Sequence, residues 1–377
     1  MSTATGRVAA FYGHGKPMVV KEYPVPDPEP GAVVVRSTVA NICGSDLHQW
    51  RGEFDVVKFG RPLPQILGHE MTGTVHRLGQ GIERDTNGKP LALGDRIIWR
   101  YFYPCGRCRA CLKGITRACP FARTYLNKSA DEAPHFVGAF GDYYYLFPGA
   151  VIFKVPDELG DGLVAGFNCA LSQVVGGFQL AQLRVGDNVV IQGAGGLGIY
   201  ATAVAREMGA GKVIVIDGIS TRLELAREFG ADETIDLREI PDSAKRVERV
   251  RELTEGWGAD IVAELAGHPR VVKEGQQMLG RTGRYLEIGN ISPGLEYSHD
   301  PSSLVFKNAT VYNMVYYEGE HLRQALDLAM RTREVYPWHK VVSHSFPLEE
   351  INEAFRAADR GEVTRASITF APTAGGR

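Results

Sequence analysis

The chain has 377 residues, a length that predicts two domains. A hydrophobic content of 44% and a charged content of 23% are ordinary for a soluble globular protein. The net charge of −2 argues against nucleic acid or an anionic membrane as a partner, and no apolar run of about 18 residues predicts a transmembrane helix. The N-terminus lacks a basic segment followed by an apolar one, so we expect a cytoplasmic protein whose clustered cysteines bind metal instead of forming disulfides.

The N-terminal part of the chain is predicted to be rich in strands, because short apolar runs at 33–35, 97–99 and 143–147 are separated by Gly and Pro. From about residue 170 strands alternate with helices, and the predicted elements are strands 188–192, 212–217, 260–263 and 284–288 and helices 221–229 and 242–254. Such alternation predicts an α/β fold with a Rossmann-type doubly wound parallel sheet. We place this domain at 171–313 and expect segments 1–170 and 314–377 to form one β-rich catalytic domain, closed by helices 321–332 and 351–360 and strand 365–370.

A glycine-rich segment follows the first strand of the predicted Rossmann domain and precedes a helix. In the pattern G-x-G-x-x-G, the first glycine allows a tight turn, the second lets the backbone approach a pyrophosphate, and the third lets the helix pack on the sheet. The helix N-terminus then presents free amides to the phosphates. The predicted cofactor contacts are Gly193, Gly195, Gly196, Leu197 and Gly198.

Asp217 ends the next predicted strand. A carboxylate at this position accepts hydrogen bonds from the adenosine ribose and repels a 2′-phosphate, so the sequence favours NAD over NADP. Arg222 lies close by in the sequence and is predicted to stack on the adenine instead of neutralising a phosphate. The alternative is an ordinary βαβ turn with a surface aspartate.

Four of the six cysteines lie within fifteen residues, with two, two and seven residues between them: Cys105, Cys108, Cys111 and Cys119. Four thiolates complete a tetrahedral zinc site and leave no position for substrate, so this site is predicted to be structural. An iron–sulfur cluster is the alternative, but ferredoxin runs have a last gap of three residues. Free surface thiols are a third interpretation, which the clustering disfavours.

The remaining cysteines, Cys43 and Cys169, are far apart in the sequence, as is His69. Two thiolates and one imidazole are typical of a catalytic zinc with an open fourth position. A metal held there acidifies an alcohol and so favours hydride transfer to a nicotinamide. Near these ligands, Ser45 and His48 are candidates for a proton relay, and Asp46 and Glu70 are candidates for orienting an imidazole and balancing charge behind the metal.

Together these motifs resemble those of the zinc-dependent medium-chain alcohol dehydrogenases. The likeness covers nearly the whole chain and rests on Cys43–His48, Gly68–Val75, Gly94–Arg96, the four-cysteine segment, and Gly193–Gly198 with Asp217. It implies a GroES-like catalytic domain, catalytic zinc on Cys43, His69 and Cys169, and a relay through Ser45 and His48. It also implies that Asp46 orients the histidine ligand, that Glu70 lies behind the zinc, and that Arg365 reaches the cofactor phosphates.

The resemblance further implies that Trp50, Tyr101 and Phe140 line an apolar substrate pocket, although each residue is also a reasonable core residue. We therefore expect an NAD-dependent enzyme with two zinc ions per chain, acting on an uncharged secondary, alicyclic or aromatic alcohol. We also expect a homodimer or homotetramer. The alternatives are a polyol-type zinc dehydrogenase, whose relatives carry Glu where this chain has Cys169, a metal-free reductase, and a non-enzymatic nucleotide-binding relative.

Overall fold

The structure is a computed structural model that describes residues 4–370. The strands are β1 (Thr5–Phe11), β2 (Val19–Pro24), β3 (Val33–Asn41), β4 (Gln65–Ile66), β5 (Glu70–Leu78), β6 (Arg96–Trp99), β7 (Tyr143–Leu146), β8 (Ile152–Lys154), β9 (Asn188–Gln192), β10 (Lys212–Asp217), β11 (Glu233–Asp236), β12 (Ala259–Glu264), β13 (Leu279–Glu287), β14 (Thr310–Asn313), β15 (His344–Pro347) and β16 (Ala366–Thr369). The α-helices are α1 (Gly44–Trp50), α2 (Arg109–Leu112), α3 (Asp161–Val164), α4 (Ser172–Leu180), α5 (Gly196–Glu207), α6 (Ser220–Glu228), α7 (Ser243–Leu253), α8 (Arg270–Met278), α9 (Pro301–Val305), α10 (Gly319–Arg331) and α11 (Ile351–Asp359).

The described chain falls into two compact units. The first comprises residues 4–169, 318–331 and 342–370, and the second comprises 170–317 and 332–341. Segment 332–341 differs from the sequence prediction, which assigned it to the β-rich domain. Its aromatic residues provide the reason, because the Tyr336 ring stacks on Phe229 at 5.8 Å and Trp338 meets the same ring edge-on at 5.4 Å. Packing against Phe229 stabilises this segment in the second unit, although it directly follows α10 of the first unit in the sequence.

The second unit is built on a six-stranded sheet in the order β11-β10-β9-β12-β13-β14, and every adjacent pair of strands is parallel. This is the predicted Rossmann-type sheet, and the structure gives β9 and β10 the predicted bounds. Val189, Val190 and Ile191 of β9 are completely buried, as expected for a parallel strand covered on both faces. The strand order reverses between β9 and β12, so a crevice forms beyond the carboxyl ends of these strands.

The helices of this unit follow local signals. Asp242 caps α7, because its side chain accepts a hydrogen bond from the amide of Ala244 at 2.8 Å. Val247 and Val250 form the buried face of α7, and its charged residues are mostly exposed, as predicted. Helix α6 ends just before Gly230, whose φ of +97° is easily adopted only by glycine.

The first unit contains two sheets. A three-stranded sheet has the order β2-β1-β4, and a seven-stranded sheet has the order β15-β16-β3-β5-β6-β8, with β7 also paired to β3. Strand β3 is antiparallel to β5 and to β16, and Asn41 at its end lies opposite Glu70 of β5 and Ser367 of β16. This register brings the end of β3 next to the beginnings of β5 and β16, three positions that are far apart in the sequence.

The stretch 161–180 is helical and apolar enough to span a bilayer by composition alone. However, 83% of its most apolar window is buried inside the protein, as in a core helix. The stretch is thus accounted for by packing, and it is not evidence for a membrane span.

Candidate active site and metal centres

The first candidate site is called the open site, because its three predicted ligands leave a fourth zinc position free; it includes Cys43, which directly precedes α1. The first turn of α1 is fixed by Asp46, whose carboxylate accepts a hydrogen bond from the Cys43 amide at 2.9 Å. Asp46 is fully buried and also accepts from the Gly68 amide at 3.2 Å. One carboxylate therefore ties the cysteine loop to the loop that precedes β5.

His69 lies at the end of that second loop and is 6% exposed. Its Nδ1 lies 3.4 Å from Asp46 Oδ1, and its Nε2 lies 3.5 Å from the Ser45 hydroxyl. A carboxylate on one ring nitrogen orients the imidazole and leaves the other nitrogen available as a metal ligand. The structure thus places Asp46 where the sequence-based hypothesis needs it.

Glu70 begins β5, is fully buried, and forms an ion pair with Arg365, which directly precedes β16. The second carboxylate oxygen, Oε1, has no hydrogen-bond partner within the described chain. The sequence analysis assigned Arg365 to the cofactor phosphates. In the structure its buried guanidinium pairs with Glu70, which compensates a buried carboxylate, and the contact with the cofactor phosphates stays a prediction.

Cys169 is 6% exposed and lies in a π-helical turn, Phe167–Leu171. Such single turns are frequent at functional sites. The neighbouring Asn168 is fully buried, and its amide oxygen accepts from the Met71 backbone at 3.4 Å. This contact ties the cysteine-bearing turn to β5, the strand that follows His69.

The structure brings the three predicted ligands together. Cys43, His69, Glu70 and Cys169 each offer one ligand atom, and these four atoms all lie within 4.8 Å of one another. Two thiols and an imidazole match the ligand preference of zinc, and the unpartnered Glu70 oxygen is an additional acceptor beside them. The residues therefore fit a zinc ion with three protein ligands.

The protonation of the site also suits a cation. The hydrogen bond with Cys169 lowers the pKa of Cys43, and the same hydrogen bond, with burial, raises the pKa of Cys169. Burial raises the pKa of Glu70 to about 7, although Arg365 opposes the rise. Burial opposes protonation of His69, but Asp46 and the Cys43 thiolate outweigh it and raise the pKa of the imidazole. A metal ion would replace the protons that these crowded groups otherwise retain.

His48, the second member of the predicted relay, lies on α1 with Ser45. Its Nδ1 is hydrogen-bonded to the carboxylate of Glu53, and its side chain is 16% exposed. Glu53 did not feature in the sequence analysis because it belongs to no recognisable motif. Its contact fixes the ring of His48 and gives it an acidic neighbour nearer the solvent, where 39% of the Glu53 side chain is exposed.

The three predicted pocket residues have different environments. The Tyr101 ring lies 4.6 Å from the His69 ring and is therefore adjacent to the open site. Phe140 is fully buried and packs edge-on against Phe355 at 5.6 Å, and Trp50 meets Phe355 at 6.0 Å. Phe140 thus packs within this unit and Tyr101 lies beside a predicted zinc ligand, while the pocket role of Trp50, Tyr101 and Phe140 stays a prediction.

Sequence reasoning missed two arginines beside His69. Arg61 and Arg123 line a small cavity of the first unit together with Gln49, Asp46 and His69. The Arg123 guanidinium also lies over the Tyr101 ring, 5.5 Å from its centre. Neither arginine belongs to a motif, and only folding brings the two segments together.

The four-cysteine segment forms a separate site in the same unit. Its four sulfur atoms lie within 4.8 Å of one another, and the Cys108 and Cys119 sulfurs are 3.9 Å apart. The amides of Arg107 and Cys108 donate to Cys105 and lower the pKa of its thiol to about 7, which favours the thiolate that a metal requires. All six cysteines lack disulfides, and this cluster fits a closed four-thiolate zinc site.

The glycine turn of the second unit connects β9 to α5. Gly193 has a φ of +99°, and a Cβ on Gly198 would lie 1.9 Å from the Gly193 carbonyl oxygen. In contrast, apart from Gly195 and its two chain neighbours, no residue of the described chain has an atom within 4 Å of a Cβ built on Gly195. Gly193 and Gly198 are thus required by the chain itself, whereas the space at Gly195 is open for a ligand.

Helix α5 begins with Gly196, Leu197 and Gly198, and within the described chain no side chain caps it. Its first amides are therefore available to an anion. The predicted turn and helix N-terminus are both present and fit a dinucleotide pyrophosphate.

Asp217 ends β10, as predicted, but its carboxylate already has two backbone partners. Oδ2 accepts from the Ala194 amide at 2.7 Å, and Oδ1 accepts from the Ile219 amide at 2.9 Å. The aspartate thus holds the glycine turn against the end of β10. Arg222 lies one turn into α6 and is partly exposed.

Two family models match this chain, one in the β-rich unit and one mainly in the unit with the parallel sheet. The family model of the alcohol dehydrogenase GroES-like domain matches residues 29–157, and that of the zinc-binding dehydrogenase matches residues 196–331. A 5-exo-hydroxycamphor dehydrogenase of Pseudomonas putida is 32% identical over 349 residues, which cover 92% of this chain and 94% of that protein. A sorbitol dehydrogenase of Halalkalibacterium halodurans is 27% identical over 93% of this chain and 95% of its own length.

A solved structure agrees as well. The crystal structure of an alcohol dehydrogenase from Thermotoga maritima superposes with a TM-score of 0.89 at 31% identity, covering 98% of this chain and all of that one. The β-rich unit is accordingly a GroES-like domain, and the predicted fold class is confirmed. The chain belongs to the zinc-dependent medium-chain alcohol dehydrogenase family and is a zinc-dependent oxidoreductase.

Proposed function

We propose that the protein is an NAD-dependent zinc alcohol dehydrogenase that interconverts an uncharged alcohol and its ketone or aldehyde. The observation that carries the proposal is the convergence of Cys43, His69 and Cys169 within 4.8 Å, with Glu70 behind them. Three protein ligands leave a position at which a substrate oxygen binds, whereas the four-cysteine site has none.

The side chains of the open site are proposed to have separate roles. Cys43, His69 and Cys169 hold the zinc, which when bound acidifies an alcohol or polarises a carbonyl. Asp46 keeps His69 in its orientation, and Arg365 keeps the charge of Glu70 compensated. The Ser45 hydroxyl, 3.5 Å from His69 Nε2, is proposed to accept the alcohol proton as it releases its own, and His48, beside Glu53, is proposed to take up the released proton and pass it to solvent.

The preference for NAD is proposed from Asp217. Its carboxylate is fixed at the end of β10 by two backbone amides, so an adenosine ribose in the crevice would meet a carboxylate that cannot easily move away. A 2′-phosphate there would be repelled. We expect Asp217→Ala to reduce the ratio of kcat/KM with NAD to that with NADP by about tenfold. An unchanged ratio would show that Asp217 does not select between NAD and NADP. The control is Glu224→Ala, which changes an exposed residue of α6.

The substrate class is proposed to be a secondary, alicyclic or aromatic alcohol. Tyr101 places an aromatic ring beside His69, which suits an apolar substrate. The 32% identical relative is named for a hydroxylated camphor, a secondary alcohol on a bicyclic ring, and this name supports the alicyclic choice.

One experiment tests the activity as a whole. A panel of cyclohexanol, a hydroxylated camphor, benzyl alcohol and sorbitol is offered with NAD, and NADH formation is followed by absorbance. We expect turnover of the first three and little of sorbitol. Preference for sorbitol would favour the polyol alternative. The similarity to a sorbitol dehydrogenase supports that alternative, whereas Cys169 disfavours it. Binding of NADH without turnover of any alcohol or ketone would favour the non-enzymatic alternative.

Three further parts of the proposal stay predictions from the sequence. The chain is predicted to bind two zinc ions, one in each cysteine site. It is predicted to be cytoplasmic, with neither nucleic acid nor membrane as a partner. It is predicted to form a homodimer or homotetramer.

A further inference from the structure

The carboxyl edge of the parallel sheet carries a pair of acids that the proposed function does not use. Glu264 ends β12 and Glu287 ends β13, and the two residues are direct partners in the parallel register. Glu264 is fully buried, and Glu287 is partly buried. A buried carboxylate is costly unless several hydrogen bonds stabilise it, so its retention at this edge requires an explanation.

The Glu264 carboxylate joins two turns. Its Oε1 accepts from the Gly267 amide at 2.7 Å, in the turn after β12, and its Oε2 accepts from the Asn290 amide at 3.1 Å, in the turn after β13. The Asn290 side chain in turn donates to Glu287 at 2.6 Å. The Glu264 carboxylate therefore ties together the two turns that follow neighbouring strands, in addition to the backbone hydrogen bonds that the Ile288 and Gly289 amides donate to the Glu264 carbonyl.

These turns lie beside the glycine turn. A Cβ on Gly193 would lie 2.9 Å from the Ala266 amide nitrogen, and a Cβ on Gly289 would lie 2.5 Å from the Gly267 amide nitrogen and 2.7 Å from Glu264 Oε2. The three turns are so closely packed that moving one displaces the others. They surround the point where the strand order reverses, which is where doubly wound sheets bind dinucleotides.

We propose that Glu264 is a positioning residue for the nicotinamide cofactor, because its carboxylate ties the turns after β12 and β13 to each other beside the glycine turn. The inference rests on the nicotinamide cofactor of the proposed function and depends neither on the alcohol nor on the preference for NAD. Asp217 holds the opposite side of the glycine turn, beyond β10. Glu264 therefore organises the part of the crevice that lies away from the adenosine-binding strand.

The protonation of the acid pair gives the proposal a second readout. Burial, then the neighbouring Glu287, raises the pKa of Glu264 to about 7, and the amides of Gly267, Ala266 and Asn290 oppose the rise. Burial likewise raises the pKa of Glu287. Tyr285 of β13 also faces the pair, and burial, followed by the two carboxylates, raises its pKa well above the ordinary value, so the phenol stays neutral. As the pH falls through about 7, Glu264 gains a proton and accepts hydrogen bonds less well.

The test compares Glu264→Gln with wild type by titrating the purified zinc-loaded protein, without alcohol, with NADH and separately with AMP. The glutamine amide keeps the shape but places N–H groups against a backbone donor. We expect NADH binding to weaken about tenfold and AMP binding to change less than about twofold. Equal weakening of both ligands would indicate a purely structural role and overturn the proposal, as would unchanged NADH binding.

The Glu287→Gln variant is the matched control, because it removes one acid of the pair and leaves the Glu264 contacts. We expect it to keep NADH affinity at high pH and to move the acid-side loss of affinity to lower pH. This measurement also serves if Glu264→Gln fails to fold. A wild-type NADH affinity that does not fall as the pH drops through about 7, or the same pH profile in Glu287→Gln, would contradict the proposal.

Discussion

The two cysteine sites of this protein lie in the same unit but are built in opposite ways. The four-cysteine site is local, since all its ligands come from fifteen consecutive residues. The open site takes its ligands from the end of β3, the loop before β5 and a π-helical turn, all distant in the sequence. The four-cysteine site depends on a short segment, whereas the open site depends on the fold of the whole GroES-like domain. A site that needs precise geometry for chemistry is thus held by sheet register, and a site that only needs closure is held by spacing.

The two sites also differ in the groups that surround their ligands. Around the open site three charged side chains are buried: Asp46 contacts the predicted ligand His69, and Glu70 and Arg365 form an ion pair with each other. Around the closed site, Cys105 relies on backbone amides, and three of the four cysteines are only partly buried. Supporting side chains therefore accompany the site that must be positioned.

The largest effect that would separate the two sites is expected from Cys169→Ala. This variant removes one of three ligands of the open site, so we expect turnover to fall by at least about 1000-fold and NADH binding to persist. Metal analysis should show loss of one zinc per chain, with the four-cysteine site still filled. Retained turnover would mean that Cys169 is not a ligand. The Cys43→Ala variant should lose the same zinc, so its metal content shows whether both thiols bind one ion.

The reciprocal change is Cys111→Ser in the closed site. Because this site pins a segment with few buried residues, we expect the free energy of unfolding to fall by about 3 kcal/mol or more, measured by chemical denaturation. The neighbouring Leu112→Ser is the control, since Leu112 is 76% exposed and its replacement should cost less than about 0.5 kcal/mol. Equal stability of the two variants would show that the cluster does not hold a structural metal.

A smaller effect is expected from Asp46→Asn, which keeps the shape of the side chain and removes the charge that faces His69 Nδ1. Zinc affinity of the open site should fall between about 10-fold and 100-fold, measured by competition with a chelator. Asp27→Asn is the control, because that carboxylate is 94% exposed. An unchanged affinity would mean that the histidine is oriented by packing, including its contact with Tyr101, and not by Asp46.

The smallest effect is expected from His48→Gln. Removing an outer relay group should lower the rate of alcohol oxidation about tenfold or less, with the largest loss at low pH, where solvent accepts a proton less readily. Added buffer base should restore part of the rate. A variant with the wild-type pH profile and no response to buffer would show that the proton leaves by another path, and Glu53→Gln distinguishes the contribution of its carboxylate partner.

Much of this molecule was predictable from local patterns. The strands β9 and β10 were predicted with the observed bounds, because short β-branched runs between glycine and polar residues have few alternatives. The four-cysteine spacing and the G-x-G-x-x-G segment were equally readable, since each forms its site within one short segment. By itself the sequence determined the Rossmann-type sheet, the glycine turn and the closed cysteine cluster.

Only the tertiary structure decided the rest. The pairing of Arg365 with Glu70, the place of Glu53 beside His48 and the arginines beside His69 all join segments that no spacing rule connects. Segment 332–341 belongs to the second unit because Tyr336 and Trp338 pack against Phe229 there. The tie between Glu264 and Asn290 likewise exists only because β12 and β13 are neighbours. Side-chain partners across a sheet depend on strand order and register, and these are properties of the whole fold.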